Sequence, residues 1–94
     1  MIIINAKIRK DIGKSSNKRL RLLNQIPAII YGKNIKPLKI KFCYNIISNN
    51  KYKNDFYKNF FIIKINKKEI KVKIHSIQYH PFKDKIIHFD FIYI

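Results

Sequence analysis

Phe56-Tyr-Lys-Asn-Phe-Phe-Ile-Ile-Lys-Ile65, Asn66-Lys67 and Lys68-Glu-Ile-Lys-Val-Lys-Ile74 are the stretch that decides the fold. Two apolar runs flank a pair of residues able to turn, because Asn tolerates positive φ, so the stretch reads as a hairpin. Along the second run Ile70, Val72 and Ile74 alternate with Lys71 and Lys73, the period-two pattern of a half-buried strand that is expected to continue to Gln78.

Working outward, the same pattern recurs. Leu38, Ile40, Phe42 and Tyr44 alternate with Lys39, Lys41 and Cys43. Ile2–Ile8, Ala28–Tyr31 and Ile86–Tyr93 complete the strands, Gly32 ending the second of these runs. Between them, Asp11 to Ser16 breaks the pattern. Asn17 to Gln25 reads as a short helix with Leu20 and Leu23 on one face and Pro27 closing it. Asn45 is placed to cap a second helix to about Asn54, with Ile46 and Ile47 inward. The expectation is one domain over residues 1–94. It is mostly β with short helices (α+β), a six-stranded antiparallel or mixed β-barrel flanked by two or three of them.

Charge then bounds the function. The chain carries 21 Lys and Arg against 5 Asp and Glu, +16 in 94 residues. So much like charge repels itself, and a polyanion relieves the repulsion. A genome biased toward Lys codons would also raise this number, but the arginines are not scattered. Arg9, Arg19 and Arg21 all fall in the first quarter, although most lysines lie beyond it. Arginine offers a planar donor fork to phosphates and base edges that lysine lacks.

With a helical turn beginning near Lys14, the residues Lys14, Lys18 and Arg21 form a basic stripe opposite the leucines. Arg19 lies beside it, and Ser15 or Ser16 can bond sugar or phosphate. A solvated helix face would look the same locally; the charge and the arginine placement favour binding to nucleic acid. A regular A-form major groove excludes a helix, so docking there needs a widened or non-canonically paired region.

The last strand sets His88 and Asp90 on the face opposite Ile87, Phe89, Phe91 and Tyr93, together with Ile86 and Ile92. A carboxylate among phosphates is useful where it accepts hydrogen bonds from base N–H groups. A salt bridge from Asp90 to a lysine would answer the same pattern. Tyr31 is open to base stacking or core packing, and Gln78 ends a strand with an amide able to read edges.

Other classes have less support. Same-face histidine and carboxylate on one strand are thin evidence for a ribonuclease. One Cys and scattered His75, His80 and His88 do not have the spacing of a zinc site, and no cofactor is expected. The lone Cys43 fits a reducing compartment, and the short apolar start is neither a signal peptide nor a span, so the cytoplasm is expected. Basic residues spread over strands disfavour a membrane surface.

Ile4-Asn-Ala-Lys-Ile-Arg9-Lys, Gly13-Lys14, Lys18-Arg-Leu-Arg21 and Ile26-Pro-Ala-Ile-Ile-Tyr-Gly32 are followed by Lys68-Glu-Ile-Lys-Val-Lys73, Gln78, His80-Pro81 and His88-Phe-Asp-Phe91. Together these runs resemble the family of bacterial large-subunit ribosomal protein twenty-five, in its short, single-domain form. That resemblance implies a six-stranded barrel and binding to the loop E region of 5S ribosomal RNA in the large subunit. It implies a monomer when free, with no enzyme activity and no small-molecule substrate. The first helix would enter a widened major groove and the barrel would cover the minor groove. It also implies RNA contact for Arg9, Lys10, Lys14, Arg19, Arg21, Tyr31, Gln78, His88 and Asp90; Ser16 and Lys18 join them from the stripe. Ser15, Lys18, Tyr79 and Lys67 depart from the family's usual residues. The alternative is a non-specific or stress-associated RNA-binding protein of the same fold.

Overall fold

The computed structural model describes residues 2–10, 18–20, 22–50 and 56–94. Six strands close into a barrel in the order β1-β3-β2-β6-β5-β4, as the alternating patterns imply. They are β1 (Ile2–Ile8), β2 (Gln25–Tyr31), β3 (Leu38–Cys43), β4 (Phe60–Ile65), β5 (Lys68–Tyr79) and β6 (Ile86–Tyr93). Helix α1 (Asn45–Asn50) follows β3, and a 3₁₀ turn (Phe56–Lys58) precedes β4. Adjacent pairs are antiparallel except β1 with β4 and β2 with β6, which run parallel, so the barrel is mixed. Closure leaves no free edge strand among the described residues, in a chain rich in β-formers.

The interior follows from the period of two. Ile2, Ile4 and Ala6 of β1, Ile26, Ala28 and Ile30 of β2, and Ile40 and Phe42 of β3 all point inward. Phe61, Ile63, Val72, Phe89 and Phe91 fill the centre without solvent exposure. Phe89 and Phe91 stack with ring centroids 5.3 Å apart, and Phe61 lies 5.5 Å from Phe91. Each such ring contributes about 1.5–3 kcal/mol by leaving water.

The hairpin turn is where the sequence places it, with Ile65 paired to Lys68 across Asn66-Lys67. Asn66 takes the positive φ, 56°, and Lys67 does not need one, so the absence of glycine at Lys67 is tolerated. Gly32 ends β2 at φ 116°, where an L side chain would be strained.

Four local expectations are corrected. Pro27 does not end the first helix. It lies inside β2, which starts at Gln25, and the parallel ladder to β6 begins only at Ala28, so the missing N–H withholds nothing from it. The helix stops earlier: Lys18–Leu20 and Leu22 are helical, and Asn24 closes the segment at φ 57°. Leu20 is buried, but Leu23 falls in that closing turn and is exposed. Phe56 is not part of β4. The 3₁₀ turn swings its ring into the core, edge-on to Phe61 at 5.8 Å. Finally, Ile86 faces inward, fully buried, although simple alternation sets it beside His88. An irregularity at Gln78/Tyr79 shifts the register there, and the Ile86 N–H donates to the Tyr44 hydroxyl at 3.1 Å.

Candidate nucleic-acid interface

The outer face of β2, β6 and β5 gathers four of the anticipated residues. Because Phe89 and Phe91 point inward, His88 and Asp90 are turned out between them. Gln78 pairs with His88 across β5–β6, and Ser76 pairs with Asp90. On the other side Ile29 stands beside Asp90, and Tyr31 beside Ile92. Tyr31 is exposed rather than packed in the core, and with His75, Asp90 and Ile92 it lines a groove of about 280 Å³.

Ser76 and Gln78 reach this face only through a bulge. Strict alternation from Ile70, Val72 and Ile74 would turn both inward. The register shift between Ile74 and Ser76 adds a residue, so Ser76 and Gln78 are exposed while Ile77 packs against the core.

Asp90 is held by neighbours other than lysine. The Ser76 hydroxyl donates to Oδ2 at 2.6 Å, and His88 Nδ1 lies 3.5 Å from Oδ1. That second distance is too long for a hydrogen bond, and His88 Nδ1 is buried without one. The pKa of His88 is lowered, mainly by burial; Asp90 opposes this and the Arg9 guanidinium adds to it. The imidazole is therefore neutral at neutral pH. Asp90 Oδ1 remains a carboxylate acceptor with one lone-pair set uncommitted to Ser76.

Arg9 links this patch to a more strongly basic one. Its backbone N–H donates to the Lys39 carbonyl at 2.9 Å, continuing β1 along β3. Its side chain acts on His88 from one side and, on the other, lines a groove of about 370 Å³ with Lys10, Arg19, Lys41, Leu20 and Leu23. Lys18 is exposed on the helical segment above. That segment is tied to the barrel where Asn24 Nδ2 donates to Asn45 Oδ1 at 2.8 Å and Tyr44 N–H donates to the Asn24 carbonyl at 2.9 Å. Lys14, Ser16 and Arg21 lie outside the described residues, and so does most of the anticipated stripe. Lys41, Ser76 and His75 were not anticipated. Lys41 was legible from its outward position in β3, whereas Ser76 depended on the bulge.

The combination is chemically directional. A groove of cations suits phosphates, and beside it a fixed carboxylate, a neutral imidazole, an amide and a phenol present both acceptors and donors. No group of His, Cys, Asp and Glu suited to a metal ion occurs among the described residues.

Residues 4–91 match the model of the ribosomal L25p family. The chain belongs to that family. Among relatives of this L25p protein, the large ribosomal subunit protein bL25 of Sodalis glossinidius is 45% identical over 98% of both chains. The protein of the same name from Proteus mirabilis is 42% identical over 98% of both. That of Buchnera aphidicola subsp. Schizaphis graminum is 43% identical over 99% of this chain and 97% of its own. Membership makes the L25p chain a ribosomal protein and not an enzyme.

Proposed function

We propose that this protein, as a component of the large ribosomal subunit, binds 5S ribosomal RNA at its loop E region. The basic groove around Arg9, Lys10 and Arg19 takes the phosphate backbone. Tyr31, Gln78, His88 and Asp90 read base edges, and Lys14, Ser16, Lys18 and Arg21 add contacts in a widened major groove. Bound in this way, the protein is stationed on the ribosome in the cytoplasm.

The observation that carries this reading is Asp90, a carboxylate fixed by Ser76 on a face whose neighbours include Arg9. A surface built only to attract phosphate gains nothing from an anion there. One that must accept a hydrogen bond from a guanine or cytosine N–H does. Binding to a loop E fragment and to a regular duplex of equal length, over a salt series, tests it. Preference for loop E that persists as salt rises supports base-edge readout. Equal affinities that collapse together would leave a non-specific RNA binder on the same barrel.

A further inference from the structure

The β5–β6 loop carries a feature that the strand face does not use. Phe82 is 93% exposed, and it does not sit on a slack loop. His80 Nδ1 accepts hydrogen bonds from the backbone N–H groups of both Phe82 and Lys83, each at 3.1 Å. The loop is shut at its base by His80 N–H donating to the Lys85 carbonyl at 2.8 Å, and Lys85 N–H donates to the Lys83 carbonyl at 2.8 Å. The Phe82 ring meets His80 edge-on at 6.2 Å. Lys85 is anchored back on the barrel, its ammonium 5.1 Å from the centre of the Tyr44 ring. One histidine thus organises a short loop around a ring held out in water.

We propose that Phe82 is a nucleobase-stacking site that takes an unpaired base of the RNA lying on the neighbouring strand face. The inference rests on the RNA-binding reading above. Phe82 lies four residues beyond Gln78, at most about 13 Å at about 3.3 Å per residue, at the tip of the same hairpin. Bases that leave the regular stack are what aromatic side chains capture in RNA, and stacking needs no particular base identity. Charge decides between RNA and an apolar protein partner: Lys83 is exposed next to the ring and the chain carries +16, which favours a polyanion. The loop's cation meets phosphate while its ring meets the base.

The test uses the full chain with F82A, F82L and F82W, each against full-length 5S ribosomal RNA and a fully paired duplex of equal length. The ring is almost wholly exposed and takes no part in the core, so the fold is expected to survive all three changes. F82A and F82L should weaken 5S RNA binding about five- to 150-fold, F82W should restore it, and duplex binding and the salt slope should stay unchanged. Wild-type affinity for F82A or for F82L, or an equal loss on the duplex, would overturn the proposal. If the wild-type protein shows no preference for 5S RNA, the strand-face reading fails. A loss with F82A on 5S RNA but not on duplex would still uphold stacking in that case.

Discussion

Replacing Asp90 with Asn separates reading from attraction. The two side chains have nearly the same shape, and the Asn carbonyl can still accept the Ser76 hydroxyl that now lies 2.6 Å from Oδ2. What is lost is the charge and the second acceptor oxygen, the one facing His88 at 3.5 Å. Folding stability should change by no more than about 1 kcal/mol, the net worth of one partly exposed hydrogen bond. On loop E the change replaces an acceptor with an amide donor facing a base N–H. A good base-edge contact is worth about 1–3 kcal/mol, so affinity should fall about five- to 150-fold. On a regular duplex the opposite is expected. There Asp90 meets only phosphates, and removing its negative charge should leave binding unchanged or slightly tighter. Parallel titrations on the two RNAs at one fixed salt concentration measure both effects. Equal weakening on both RNAs would refute the reasoning, because it would mean Asp90 acts on the barrel and not on the bases.

Three further expectations follow from the same geometry. Lys10→Ala should weaken loop E and duplex alike and reduce the slope of log affinity against log salt by about one, because this exposed lysine lines the phosphate groove; a loss on loop E alone would move it to the reading set. Phe91→Ala should cost about 3–5 kcal/mol, since the ring is fully buried against Phe89, Phe61 and Phe42, and a thermal melt should show it; a shift below about 5 °C would mean the barrel collapses around the gap. His88 has a folded pKa below its unfolded value, so the unfolded chain takes up the proton first as pH falls. Its contribution to stability is therefore unchanged above about 6.5 and is lost progressively as pH drops from there through the folded pKa. Denaturation at pH 7.5 and 5.5 should show a smaller stability loss for His88→Gln than for the wild type, and an equal loss would contradict burial as the cause.

The parts of this molecule that could be read from its sequence are those governed by a period of two. Alternation of Ile70, Val72 and Ile74, or of Leu38, Ile40 and Phe42, reports directly which side of a strand leaves water, and both runs lie as expected. His88 and Asp90 were legible for the same reason, as the polar partners of two buried phenylalanines. What could not be read depends on single-residue irregularities. One added residue between Ile74 and Ser76 reverses the face of everything after it, and nothing in the residue types of Ile74-His-Ser-Ile77 announces it. Phe56 looked like one more strand residue because periodicity does not distinguish a buried ring on a 3₁₀ turn from one on a strand. Pro27 looked like a helix stop, because the reason it is tolerated, the start of the parallel ladder one residue later, is a tertiary fact.

On the proposed function, the bulge that hid Ser76 also explains how the face around Asp90 reads bases specifically on so basic a protein. Phosphate attraction is long-ranged and tolerant of position, so lysines on any strand can supply it. A hydrogen bond to a base edge requires its acceptor to be held within a few tenths of an ångström before the RNA arrives. β6 meets that need by placing Asp90 between two inward rings that are stacked on each other and packed on Phe61 and Phe42. The β5 bulge then turns a hydroxyl outward to fix the carboxylate. The core and the reading face are alternate residues of one strand, so a disturbance of the packing must also move the acceptor. Specificity for the RNA should therefore be more sensitive to substitutions at Phe89 or Phe91 than overall affinity is.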